Sequence, residues 1–197
     1  MLYGILKSAT NTGLDSELQS VFAAPLTIRS NKPSFFQDTL NLKRPTGSQG
    51  VQRWEISANI CPENGSANHL LHSARYGHDT EFYVRMPQVV NLPTSAAVTL
   101  TSNASAGVDT LDVTAAVGAG EFVNIGADSK VYLVIESTVS TIKITPPLRL
   151  ARVIGDTVKT GGTVTIKCKY DGDVQLGITY TDGVLSDPGQ IKMVESL

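Results

Sequence analysis

Apolar and polar residues alternate along much of the chain. In VQRWEISANI, Val51, Arg53, Glu55, Ser57 and Asn59 fall on one side, and Gln52, Trp54, Ile56, Ala58 and Ile60 on the other. That is the period of a half-buried strand, with Trp54 and Ile56 inside. TEFYVRMPQV repeats it, with Phe82, Val84 and Met86 opposite Tyr83 and Arg85, and Pro87 ends the run. Between the two lies SANHLLHSARYG, where Ser66 sits at an N-cap position. Leu70, Leu71 and Ala74 follow at helical spacing, and Gly77 fits a C-cap. One short helix is expected there.

Residues 1–25 mix small polar and apolar residues up to Pro25 and read as an irregular arm with a short helix around Leu14 to Phe22. A short strand is expected from Leu26 to Arg29, another within Phe35 to Lys43, and a turn over RPTGSQG, residues 44–50. From Ala96 to about Tyr170 aromatic residues nearly vanish. The runs AVTLTS, DTLDVTA, EFVNIG, KVYLVIEST, STIKITPP and DTVKTGGTVTIKCKY read as short strands. Ala106-Gly107 and Ala119-Gly120 mark turns, and Gly161-Gly162 suggests a tight hairpin or bulge. Longer alternation returns after Tyr170, with a turn at Asp182-Gly183, and IKMVESL reads as part of a sheet or a docked interface. The expected fold is mainly β, with residues 1–95 and 171–197 forming one discontinuous domain and 96–170 a small all-β domain inserted into it.

Composition sharpens that picture. Val, Ile and Thr supply 51 of the 197 residues, and charged residues make up 17% against about 25% in an average soluble domain. Both figures argue against coiled coils, helical bundles and disordered chains. A net charge of −2 lacks the basic excess that drives non-specific nucleic-acid binding, so no nucleic-acid partner is expected. With no run of 18 apolar residues and no secretion-type leader in MLYGILKSATNTG, the chain is expected to be made in the cytoplasm without membrane insertion.

Raw material for chemistry is thin. His69 and His72 would share a helix face with His78 nearby, and Cys61, Asp79 and Glu81 are available, but no zinc spacing is present; exposed or capping histidines are the plainer reading. Asp171 and Asp173, like Asp79 and Glu81, alternate as strand or turn carboxylates do, without the rest of a calcium loop. Cys61 and Cys168 lie too far apart in sequence for a metal or disulfide pattern and read as reduced core thiols. The GxSxG, HExxH, GxGxxG and GxxxxGK[ST] motifs are absent. No catalytic, cofactor-binding or metal residues are assigned, and no enzyme activity is expected. Phe35, Phe36, Lys43 and Arg44 around a Gly-rich tip suggest instead a hairpin that reaches out to a neighbour.

In their order, the early strand and hairpin, RWEISANI, a helix, YVRMPQ, the phrase AGEFVNIGADSKVYLV with IKITPPLR, and DGDVQLGITYTDGVLSDPGQIKMVESL resemble the distal tail protein family of tailed bacteriophages. The likeness covers most of residues 26–197, and the closing VESL is similar to that family's C-terminus; residues 1–25 have no counterpart. The resemblance implies a split β-barrel or sandwich that builds a hexameric ring at the distal end of the tail tube. It also implies an inserted, outward-facing small barrel like an OB-fold, and as partners further copies of the chain, the tail tube protein and the baseplate hub or tail-tip proteins. The place of action would be the virion tail. A ring closed by a heterologous interface needs two complementary surfaces on each subunit; residues 30–53 and the C-terminal strand are the candidate arms. Two other readings are kept: a carbohydrate-binding module, in which residues 96–170 offer Phe122, Tyr132 and Tyr170 for stacking on sugars, and a tail-tube or decoration protein.

Overall fold

A computed structural model describes residues 3–6, 18–36, 46–48, 51–61, 79–87, 97–171, 179–181, 184–187 and 190–197. The described chain is almost entirely β. Strands β1 (Gly4–Leu6), β2 (Leu18–Asn31), β5 (Arg53–Ile60), β6 (Phe82–Arg85), β13 (Thr165–Tyr170) and β16 (Gln190–Glu195) close a barrel in the order β1-β2-β5-β16-β13-β6. Every neighbouring pair is antiparallel. The expected alternation in β5 holds, with Trp54, Ile56, Ala58 and Ile60 buried. Phe82, Val84 and Met86 fill the same core, together with Ile166, Ile191 and Met193. Arg85, assigned by period to the polar side, is buried as well. It lies opposite Thr165 on β13, whose N–H donates to Asn124 Oδ1 of the second sheet at 3.0 Å, so the outer wall of the barrel is covered there.

The first 25 residues differ from expectation. Leu18–Asn31 is one continuous strand, not the end of a helix followed by a short strand, and β1 sits between β2 and β6. These segments complete the chain's own barrel. Proline is tolerated in mid-strand because the register against β5 shifts between Ala23 and Thr27, a bulge that removes the ladder position Pro25 cannot fill. Gly4 is required by proximity: a Cβ on it would lie 1.8 Å from the Ser20 carbonyl oxygen. The expected helix at Ser66–Gly77 falls outside the described residues.

The second sheet comprises β7 (Val98–Thr99), β8 (Thr110–Asp112), β9 (Phe122–Ile125), β10 (Tyr132–Ser137), β11 (Thr141–Thr145) and β12 (Thr157–Lys159), in the order β7-β12-β9-β10-β11-β8. It curls until its two edges touch. Leu100 bridges Val113, flanked by Thr101 N–H to the Asp112 carbonyl and Thr114 N–H to the Thr99 carbonyl, both at 3.0 Å. This small β unit has six strands, one more than an OB-fold. Its own core includes Leu111, Val123, Ile125, Val134, Ile142 and Val158.

The excursion occupies a hairpin position. β6 and β13 are barrel neighbours, and the chain leaves at Met86 and returns at Val164, where Met86 N–H bonds the Val164 carbonyl at 3.0 Å. The Gly161-Gly162 pair is therefore not a hairpin: Gly161–Thr163 forms one 3-10 turn, with Gly161 at φ +59°. It links β12 of one sheet to β13 of the other. Strand Thr165–Tyr170 thus belongs to the barrel, although its lack of neighbouring aromatics grouped it with the inserted segment. Among the described residues two ribbons lie outside these sheets: β3 (Ser34–Phe36) with β4 (Thr46–Ser48), and β14 (Thr179–Thr181) with β15 (Val184–Asp187). β4 occupies part of the segment expected as a turn.

Candidate functional site

The residues flagged for chemistry are not brought together. His69, His72, His78 and Asp173 lie outside the described residues, and among the described residues no group of three or more His, Cys, Asp or Glu could hold a metal ion. Cys61 is half-buried and Cys168 fully buried, both as free thiols; burial, with the Glu195 charge nearby, pushes the Cys168 thiol well above its ordinary pKa. Glu81 accepts a 2.6 Å hydrogen bond from Ser196 Oγ and pairs with Lys167 at 2.9 Å. These two partners hold its carboxyl below the usual range. Asp171 is exposed. Of the three rings offered for sugar stacking, Phe122 packs edge-on against Trp54 with centroids 5.4 Å apart, and Tyr170 packs on Phe82 at 4.7 Å. Tyr132 is fully buried. None of these rings is exposed as a platform.

A dense polar seam joins the barrel to the second sheet instead. Lys130, on the loop before β10, directs its ammonium to the Glu195 carboxylate of β16, to the Gln52 carbonyl at 3.0 Å and to Gln52 Oε1 at 2.7 Å. Glu195 also accepts from the backbone N–H groups of Trp54 at 3.1 Å and Val131 at 3.2 Å, and the Trp54 indole N–H donates to the Val131 carbonyl at 2.8 Å. Burial pulls the Lys130 ammonium below its ordinary pKa, against the charge and hydrogen bond of Glu195. A buried pair of this kind is held by saturation of its hydrogen bonds more than by net Coulomb gain.

One turn earlier on the same loop, Asp128 gathers a second cluster. It accepts from Arg149 Nη2 at 2.5 Å, Tyr132 Oη at 3.1 Å and the Lys130 N–H at 3.2 Å, and pairs with Arg152 at 3.4 Å. Burial raises its pKa, but these donors and the Arg149 charge outweigh it and hold the carboxyl below the ordinary value. Burial, with the Asp128 charge, pushes the Tyr132 hydroxyl far upward. The loop 126–131 is therefore fixed to both bodies.

The seam was not expected, yet two residues announce it by phase. Gln52 shares the inward face of Trp54, and Glu195 is in step with Ile191 and Met193, so each puts a polar group on an apolar side. Asp128, Lys130, Arg149 and Arg152 carry no such mark, because they lie on loops.

The two arms expected from sequence fare differently. β16 is hydrogen-bonded on both edges, to β5 and to β13, so the C-terminal strand cannot add to a neighbour's sheet; its backbone groups are already paired inside the barrel. The segment 30–53 forms a ribbon where it is described, and Lys43 and Arg44 lie outside the described residues. The β2–β5 pairing ends at Asn31–Arg53, and the ribbon continues as Ser34–Ser48, Phe35–Gly47 and Phe36–Thr46, a two-stranded sheet on its own. At its base opens a recess of about 410 Å³ lined by Asn31, Pro33, Val51, Gln52, Arg53, Glu195 and Leu197. Compared with known proteins, the chain matches no protein-family model and no curated protein.

Proposed function

We propose that this chain is a structural ring subunit: an adaptor at the distal end of a bacteriophage tail tube that joins the tube to the tip or baseplate hub. Its partners are further copies of itself, probed first as a homohexamer, together with the tube protein and the hub proteins, and its place is the virion. The chain has no catalytic role in this reading.

One observation carries the reading. The barrel sends the β3–β4 ribbon beyond its own sheet, and among the described residues no third strand pairs with that ribbon. Free ribbon edges present rows of N–H and C=O groups that a neighbouring chain can take up. The seam supports the same reading, since a rigid junction suits a subunit that must hold two β bodies at a fixed angle. The phrases RWEISANI and AGEFVNIGADSKVYLV, which carry the resemblance, build the two sides of that seam. Removing residues 34–48 and bridging Pro33 to Gln49 with a short Gly-Ser linker tests it. The barrel should still melt cooperatively while assembly is lost; a shortened chain that assembles like the parent overturns the role of the ribbon.

A further inference from the structure

Gln52, Lys130 and Glu195 bring an amide, an amine and a carboxylate together in the dry part of the seam. Lys130 Nζ lies 2.7 Å from Gln52 Oε1 and also contacts the Glu195 carboxylate. The Lys130 side chain is 3% exposed, that of Glu195 is fully covered, and Gln52 is buried. Glu195 accepts from the N–H groups of Trp54 and Val131, both members of the barrel's buried apolar cluster. An ion pair needs only the lysine and the glutamate; the glutamine side chain is a third group turned onto the same nitrogen. Its amide is held at both ends, because Gln52 Nε2 donates to Ser30 Oγ at 3.0 Å. The carbonyl end thus faces the amine, and the nitrogen end faces a residue exposed at the surface.

These are the parts of an amide-exchange reaction. The Gln52 amide carbon is one bond from the oxygen that sits 2.7 Å from Nζ, so nucleophile and electrophile are held near contact distance. Groups fixed in this way react with effective molarities of about 10⁵–10⁸ M. A lysine amine becomes nucleophilic when it is desolvated and a base adjoins it. Burial draws Lys130 toward its neutral form, and Glu195 already touches the proton that has to leave. Of the two carbonyl groups against Nζ, the amide is the better target: a carboxylate repels the attacking pair, and oxide is a poorer leaving group than ammonia.

We infer that Lys130 Nζ condenses with the Gln52 side-chain amide to form an isopeptide bond between the second sheet and the barrel, with Glu195 as the base. Glu195 takes one proton from the ammonium. The freed pair on Nζ attacks the Gln52 amide carbon, and the carbonyl pair moves onto Oε1. When the carbonyl reforms, the C–Nε2 bond breaks and its pair leaves with the nitrogen, which takes a second proton from Nζ and departs as ammonia past Ser30. Glu195 then returns its proton to the ammonia, so the products are one secondary amide and one ammonium ion, and the carboxylate is unchanged. The ion pair is the state before this reaction. The inference stands apart from the ring reading, since a single chain holds all three groups.

Intact mass spectrometry of the full chain, sampled over days after folding and unfolded just before injection, tests it. A species about 17 Da below the sequence mass, the loss of one ammonia, should accumulate. Tryptic digestion of that species should join the peptide ending at Arg53 to one that runs uncut through Lys130 to Lys143. Gln52→Leu removes the electrophile and Glu195→Gln the base; both should keep the full mass, with thermal melts verifying that they fold. A parent chain that stays at the sequence mass throughout overturns the inference, whatever the variants do. So does a loss confined to a single peptide, the mark of a succinimide at an asparagine, or a loss of about 18 Da, which places the bond at Glu195. A 52–130 link that forms in E195Q as fast as in the parent overturns the role of Glu195. None of these readouts depends on assembly, so the ring reading stands or falls separately.

Discussion

Lys130 and Glu195, 65 residues apart, form a buried ion pair that crosses from the loop of the second sheet to the last strand of the barrel. Each is almost fully shielded from water, and each has further partners: Gln52 for the ammonium, the Trp54 and Val131 N–H groups for the carboxylate. Removing one member leaves the other charged and dry.

Lys130→Met is expected to cost about 3–5 kcal/mol of folding stability, the range for breaking a buried pair. The double variant K130M/E195Q should recover part of that loss, because the neutral amide keeps an acceptor oxygen for one of the two backbone N–H groups. Urea unfolding followed through Trp54, the only tryptophan in the chain, reads both values and reports from the seam itself. A single variant as stable as the parent would show that the pair does not hold the seam.

Acid should weaken the protein through Asp128. Its folded pKa lies below the ordinary value, so between the folded and unfolded pKa values the unfolded chain binds more protons. The stabilisation is complete above about pH 4 and is lost as pH falls through the folded pKa. Melting temperatures taken from about pH 7 down to about pH 2 should fall along an acid limb that Asp128→Asn makes shallower, with a lower starting value because Arg149 and Arg152 lose their counter-charge. An unchanged limb would place the acid sensitivity elsewhere.

Gly4→Ala should open the first strand. The added carbon meets the Ser20 backbone oxygen, which has no rotamer by which to move away, and forcing β1 from β2 costs about 1–3 kcal/mol, as overpacking does. Faster amide exchange at Ile5 and Val21, with the second sheet unaffected, is the expected signature.

Much of the barrel was legible because period two is a local signal: β5 and β6 read directly from RWEISANI and FYVR. Pro25 misled, since a proline argues for a break and only the bulge against β5 makes a 14-residue strand compatible with it. Gly161-Gly162 misled for a related reason. A glycine pair says that the chain turns, not whether the next strand joins the same sheet, and β13 returns to a barrel left 80 positions earlier at Arg85. The aromatic-poor stretch spans β7 to β12 of the second sheet and also takes in β13, which pairs in the barrel. Phe122, Tyr132 and Tyr170 looked available for stacking because sequence does not reveal that rings from distant strands fill one another's faces. The seam was visible only as Gln52 and Glu195 falling out of pattern; its loop members became neighbours through the fold.

The central claim is assembly into a ring, and mass photometry of the purified full chain, paired with negative-stain images of the same sample, tests it most directly. A dominant species of about six subunits with a central opening is the predicted result, as for a closed cyclic oligomer. A single species at the 21.0 kDa of one chain, unchanged as concentration rises, would contradict it.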